Sequence, residues 1–230
     1  MGTDAAPPPI PPPEQRLADR LAAQQTPPPM SARATAVAVL RELGRVDLAV
    51  YQSIAGTPTP TVDRPIRRVS AAANWSRLWL AIGGAMAVAG GRTGRRAAAA
   101  GIVALALDSA VVNVGLKFAT RRRRPDRDSA GVLAVRRVPM PESTSFPSGH
   151  TASGFAFANA AAHIVPAAAA PLGMLATAVG YSRIHTGVHY PGDVVIGAVI
   201  GSAVGEVVGW GARRLHANPR FPLAHPRRAS

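Results

Sequence analysis

The sequence predicts an all-α protein: a polytopic bundle of about five transmembrane helices, preceded by amphipathic helices. Two observations carry that expectation. Long apolar runs recur between Leu78 and Ala212 with only brief polar breaks, the pattern of successive helical spans. The composition is 47% hydrophobic but only 5% aromatic, so alanine, valine, glycine and leucine dominate, and such residues suit close helix packing in a bilayer.

Residues 1–33, with "PPPIPPPE" and "TPPP", carry too little large apolar surface to offset their ordering entropy and read as a disordered tail. They lack the charged start, apolar centre and cleavage site of a signal peptide. Residues 34–73 form the amphipathic part. Ala34–Gly56 has helical apolar periodicity, but Arg41, Glu42, Arg45 and Asp47 lie in its middle. Each charge at mid-bilayer costs roughly 2.5–3.5 kcal/mol on insertion scales, so an interfacial helix is expected there. "GTPTP" breaks the chain, and a second amphipathic piece covers Val62–Ala73.

The membrane core is expected over residues 74–213. Leu78–Gly91 is short, with Trp75 and Trp79 placed to extend it at the interface. Ala97–Leu116 contains Asp108 and Asn113, Thr151–Pro166 and Ala167–Tyr181 are separated by proline, and Val194–Ala212 contains Glu206. Asp108 and Glu206 read as hydrogen-bonded between helices. A basic tail, 214–230, follows. Several runs fall short of the ~20 residues that a span needs, which leaves a soluble helical bundle as the competing arrangement.

A formal net charge of +14 calls for an anionic partner. The scarcity of aromatic residues disfavours base stacking, and with it nucleic acid. Without cysteine there is no disulfide framework or thiolate nucleophile. Of the 26 basic residues, Lys117 is the one lysine, which suggests that a compact ammonium is wanted there.

The chemistry gathers in three clusters. The first is "KFATRRRRP", with Lys117 and Arg124 separated by six residues; the second is "PSGH", Pro147–His150; the third is "SRIHTGVHYPGD", with Arg183, His189 and Asp193. Alternating spans put all three at one membrane face. Lys117, Arg124 and Arg183 are cations able to surround a phosphoryl group. Ser148 and Gly149 precede a helical run, where a serine caps and free N–H groups face an anion. His150 falls in the first turn of that run. Asp193 can set the tautomer of His189 and stabilise its charge. Two histidines among three cations form a layout for phosphoryl transfer through a phosphohistidine. Within the first cluster, helical geometry sends Arg121, Arg122 and Arg123 in different directions, towards headgroups, solvent or an incoming anion.

At these positions the chain resembles the type 2 phosphatidic acid phosphatase family, whose pattern K-x6-RP, PSGH, SR-x5-H-x3-D it matches from Lys117 to Asp193. The family shares its site with vanadium haloperoxidases. The resemblance implies that His189 is the nucleophile, oriented by Asp193, and that His150 protonates the leaving group. Lys117, Ser148, Gly149, Arg124 and Arg183 would bind the phosphate. It also implies a membrane lipid phosphatase that needs no metal or other cofactor.

Three rivals remain open. His185, His189 and Asp193 are spaced by four and could hold a metal on one helix face, although Pro191–Gly192 interrupts the helix before Asp193. A non-enzymatic basic membrane protein binding anionic lipid or nucleic acid explains the charge but not the two histidines. A haloperoxidase would be soluble, against the apolar runs. Substrates in view are phosphatidic acid, phosphatidylglycerophosphate, and polyprenyl-linked phosphates, pyrophosphates or sugar phosphates. Arginine-rich, lysine-poor usage points to a high-GC bacterium and its plasma membrane. An untranslocated N-terminal tail favours a cytoplasmic site; were Ala34–Gly56 to span, the site would be extracytoplasmic.

Overall fold

The computed structural model describes residues 12–16 and 31–217. The tails expected over residues 1–33 and 214–230 therefore lie mostly outside the described residues. Among these there is no strand. Among the described residues are seven helices of thirteen residues or more: α1 Ala32–Gly56, α2 Pro60–Ala72, α3 Arg77–Ala89, α4 Gly91–Ser109, α5 Gly149–Ala162, α6 Ala169–His185 and α7 Pro191–Ala217. Each apolar run expected from the sequence is a helix. The chain divides into two compact units at Arg45–Val46. In the first, the described side chains are exposed, and Arg45 pairs with Glu42 at 2.9 Å. The rest of the structure belongs to the second.

α5 is the central element of this second unit, packed against α4, α6 and α7. Its contact with α7 rests on glycines spaced by four, Gly197, Gly201, Gly205 and Gly209. A Cβ at Gly201 would lie 2.0 Å from the carbonyl oxygen of Ala152, and one at Gly197 2.6 Å from that of Ser148. With no side chain in the way the two backbones approach directly, as packing in lipid favours. The same contact brings the start of α5, where PSGH lies, against the start of α7, where Asp193 lies. On the other side of α5, Phe157 fills the space above Gly101 and packs on Trp79 with ring centroids 5.6 Å apart.

Trp79 is fully buried, not interfacial as expected; Trp75 is 84% exposed. α3 and α4 meet in a tight turn at Gly91, whose φ of +58° is left-handed. Past Ser109, α4 continues as a π-helical turn, Ala110–Leu116, a form often found at functional sites.

Among the described residues, two helical stretches are long and apolar enough to cross a membrane, Gly91–Leu116 with 26 residues and Pro191–Leu215 with 25. At 1.5 Å per residue each exceeds the ~30 Å hydrocarbon core. α3, α5 and α6, at 13, 14 and 17 residues, are shorter than that measure.

Asp108 and Glu206 tie helices together. Ser153 on α5 donates to Asp108 on α4 at 3.0 Å, and Glu206 on α7 lies 2.7 Å from Nε2 of His163. Under α1 and α2, buried Arg136 donates to Asp63 at 2.8 Å and to the carbonyl oxygens of Ile54, Ala55 and Thr57. It thereby satisfies carbonyls that the end of α1 leaves without intrahelical donors.

Candidate active site

The chain leaves the helix at Thr120, whose φ and ψ of −120° and 127° are extended. Side chains then alternate sides. Arg121 and Arg123 are exposed, whereas Arg122 and Arg124 are half-buried on the other side. Arg124 donates to the carbonyl oxygens of Ser143 and Val188, both at 2.8 Å, and to that of Thr144 at 3.2 Å. Arg122 donates to Asp193 at 2.8 Å and pairs with Asp47, its guanidinium 4.3 Å from the centre of the Tyr190 ring. This corrects the expectation that Arg122 meets headgroups or solvent: the spacer is extended, and period two turns Arg122 inward with Arg124. Lys117, at the end of the π-helical turn, donates to Asn113 at 2.9 Å and to Ser143 at 3.3 Å. Burial, then the guanidinium groups of Arg124 and Arg183, hold its ammonium below the usual lysine range.

Ser148 is at the N-cap position of α5, but its Oγ makes no cap bond; it lies 2.9 Å from Oγ1 of Thr151. Its backbone N–H donates to the carbonyl oxygen of Asp193 at 3.0 Å, joining the second cluster to the third. The space above Gly149 opens towards Lys117, with Nζ 3.7 Å from where a Cβ would be. Nε2 of His150 donates to the side-chain oxygen of Asn74 at 2.9 Å. Asn74 begins a turn in which Trp75 and Ser76 both hold left-handed conformations, with φ of 57° and 55°, the kind of backbone cost that persists where surrounding structure enforces it.

Helix α6 ends at His185, Gly187 turns the chain with φ of +72°, and α7 begins at Pro191. The break thus falls before His189, and Asp193 sits inside the first turn of α7, not beyond an interruption at Pro191–Gly192. Buried His189 directs Nδ1 towards Asp193 at 3.4 Å, while its Nε2 receives an N–H of Arg124 at 3.2 Å. A guanidinium can only donate, so Nε2 carries the free lone pair and Nδ1 the proton. Burial first, then Arg124 and Arg183, hold the imidazole pKa down at about 4, against the opposing pull of Asp193. Asp193 also accepts from Ser145 and from the N–H of Tyr190. Arg183, 1% exposed, donates to Ser70 at 2.7 Å, and its Nε has no partner in the protein.

His185 does not join this group. Its Nε2 lies 3.0 Å from Asp63, in the Arg136 cluster, so His185, His189 and Asp193 do not converge. Among the described residues no three histidine or acidic side chains cluster as metal ligands would.

The arrangement presents an unprotonated imidazole nitrogen beneath a fan of cations, with a second imidazole near the same anion cradle. That is suited to in-line attack on a phosphoryl group. Asn74, Asn113, Ser143, Ser145 and Arg122 support it and were not singled out from sequence. None belongs to a spaced motif. Asn74 is 76 residues from the histidine that it holds.

A sequence model of the PAP2 superfamily matches residues 97–215. A decaprenylphosphoryl-5-phosphoribose phosphatase of Mycobacterium tuberculosis is 39% identical over 98 residues, 42% of this chain and 51% of the relative. The chain thus spans about half the length of that curated relative. The protein of the same name from Mycolicibacterium smegmatis is 36% identical over 152 residues, 65% of this chain and 78% of that one. Among solved structures, a transmembrane PAP2-type phosphatidylglycerolphosphate phosphatase of Bacillus subtilis aligns with a TM-score of 0.60 and 21% identity, over 76% of this chain and 88% of that one. LpxE of Aquifex aeolicus aligns with a TM-score of 0.55 and 26% identity, over 71% and 94%. With the superfamily model matched over more than half its length, and its three motifs gathered at one end of a helical bundle of that fold, the chain belongs to the PAP2 superfamily.

Proposed function

We propose that the protein is a bacterial plasma-membrane lipid phosphatase that removes a phosphate monoester from a polyprenyl-linked sugar through a phosphohistidine at His189. One observation carries this reading: His189 is held at both ring nitrogens, Nδ1 towards Asp193 and Nε2 beneath the Arg124 guanidinium. An incoming phosphate takes the place of that Arg124 contact, its oxygens receiving the N–H groups and its phosphorus meeting the lone pair. Nε2 then bonds to phosphorus as the ester P–O bond breaks, and His150 gives the leaving alkoxide its proton. Water then attacks phosphorus, giving a proton back to His150 as the P–N bond breaks, which releases phosphate and restores both imidazoles. Lys117, Arg124 and Arg183, with Ser148 and the Gly149 amide, neutralise the charge on the equatorial oxygens.

The sugar-phosphate assignment follows the names of the mycobacterial relatives, and a polyprenyl tail suits a site framed by apolar helices. In this reading α3 to α7 supply five crossings, the shorter ones completed by flanking residues and local thinning of the bilayer. The stretch entering α3 then lies on the site's face, on the cytoplasmic side. The test is phosphate release by purified protein from polyprenylphosphoryl 5-phosphoribose, phosphatidic acid, phosphatidylglycerophosphate and polyprenyl pyrophosphate. The expected result is the highest kcat/KM for the first; no release from any of the four overturns the reading.

A further inference from the structure

Arg122 occupies an undefined spacer position of the first motif, yet it touches the carboxylate that faces His189. Its Nη1 donates to Oδ1 of Asp193 at 2.8 Å and its Nη2 to Oδ2 of Asp47. The guanidinium lies over the Tyr190 ring, 4.3 Å from the centroid, and that ring meets Tyr51 edge-on at 5.4 Å. Asp47 in turn accepts the backbone N–H of Gly192 through Oδ1 at 2.6 Å. A Cβ at position 192 would stand 3.1 Å from Oδ2 of Asp47, so glycine leaves room for this grip. Asp47 therefore holds both the arginine and the residue preceding Asp193.

We propose that Arg122, anchored by Asp47, is a positioning residue for the His189–Asp193 pair. The inference rests on the phosphohistidine reading for its kinetic consequences. By occupying Oδ1, Arg122 fixes the plane of the Asp193 carboxylate and leaves Oδ2 facing Nδ1 of His189, together with Ser145 and the Tyr190 N–H. It also balances part of the carboxylate charge, so that Asp193 orients the imidazole without making it strongly basic. The planar guanidinium presents Nη1 to Asp193 and Nη2 to Asp47 in a fixed geometry that the compact ammonium of a lysine does not reproduce. The charged and titratable groups around His189 are Asp193, Arg124, Arg183 and His150; around Asp193 they are Arg122, Arg124, Tyr190 and His189.

The test compares wild type with Arg122→Gln, Arg122→Lys and Asp47→Asn, by kcat, KM and pH profile on the best lipid phosphate, and by titration of the His189 ring in ¹⁵N-histidine-labelled protein. Removing a second contact of this kind typically costs about 10- to 100-fold in activity. Arg122→Gln is expected to lose that much in kcat with KM nearly unchanged, and to raise the pH at which His189 titrates by about half a pH unit or more. Arg122→Lys should keep the titration near wild type while still losing kcat, because charge is retained and the fork is not. Asp47→Asn should lower kcat without raising KM, which keeps a readout even if Arg122→Gln fails to fold. A higher KM with unchanged kcat would make Arg122 a substrate ligand and overturn the proposal. So would a lower melting temperature with kcat, KM and the His189 titration all unmoved. Wild type that releases no phosphate would sink the phosphatase reading alone, since the ring titration still decides whether Arg122 tunes His189.

Discussion

Arg124 donates an N–H to Nε2 of His189 across 3.2 Å, the same nitrogen that attacks phosphorus in the proposed mechanism. One contact thus defines the tautomer of the histidine and marks where the phosphate oxygens belong.

In the proposed mechanism, removing that guanidinium takes away a phosphate ligand and the restraint on the ring together. Arg124→Gln should lower kcat/KM by about 10²-fold or more, on the scale of losing one preorganised donor. Arg121→Gln, on the exposed side of the same extended segment, should stay within about twofold. Steady-state phosphate release from both variants checks the pair, and equal losses contradict the division.

In the proposed mechanism the attacking form of His189 is neutral. Its folded-state pKa of about 4 lies below the ordinary histidine value because burial, Arg124 and Arg183 outweigh Asp193. Activity is therefore full above that pKa and lost as pH falls through it. A kcat/KM profile should place its acid limb well below pH 6.5. In Arg183→Gln one depressing cation is gone, and the limb should move up.

The glycine contact between α5 and α7 sets the distance between PSGH and Asp193. Gly201→Ala puts a methyl 2.0 Å from a backbone oxygen, a clash that only a helix shift relieves. Overpacking typically costs about 1–3 kcal/mol or more. Thermal unfolding in detergent should show a lower melting temperature and reduced activity. Gly211→Ala, with nothing within 4 Å, should leave both unchanged.

In the proposed mechanism three cations supply the charge that a metal ion might bring, and both oxygens of Asp193 are engaged within the protein. Prolonged treatment with a chelator should leave turnover within about twofold. A lasting loss restored by Zn²⁺ would overturn this part of the mechanism.

Much of this was legible in the sequence for a definite reason. Helical runs announce themselves by apolar periodicity, and the three motifs pack their chemistry into short segments with rigid spacing, so Lys117, Arg124, His150, Arg183, His189 and Asp193 stood out. What escaped depended on conformation between the motifs. Arg122 was assigned to a fringe because the basic run was read with helical geometry, whereas strand-like alternation from Thr120 onward aligns it with Arg124. Asp47 counted only as a charge that made a span costly, and its role requires α1 to lie beside the start of α7. Asn74 reaches His150 through two left-handed residues that nothing in "NWSR" announces. Trp79 was assigned to an interface by its residue type, but Gly154 opens a buried place for it, beside a Phe157 that packs over Gly83 and Gly101. The glycines spaced by four on α7 were present as a pattern, but the partner backbone that gives them meaning is 49 residues away at Ala152.

The central claim is that His189 performs the reaction. Phosphate release from a polyprenyl-linked sugar phosphate, measured for wild type and for folded His189→Ala, tests it most directly. The account predicts robust turnover by wild type and release at background by the variant; turnover by His189→Ala within a few-fold of wild type would contradict it.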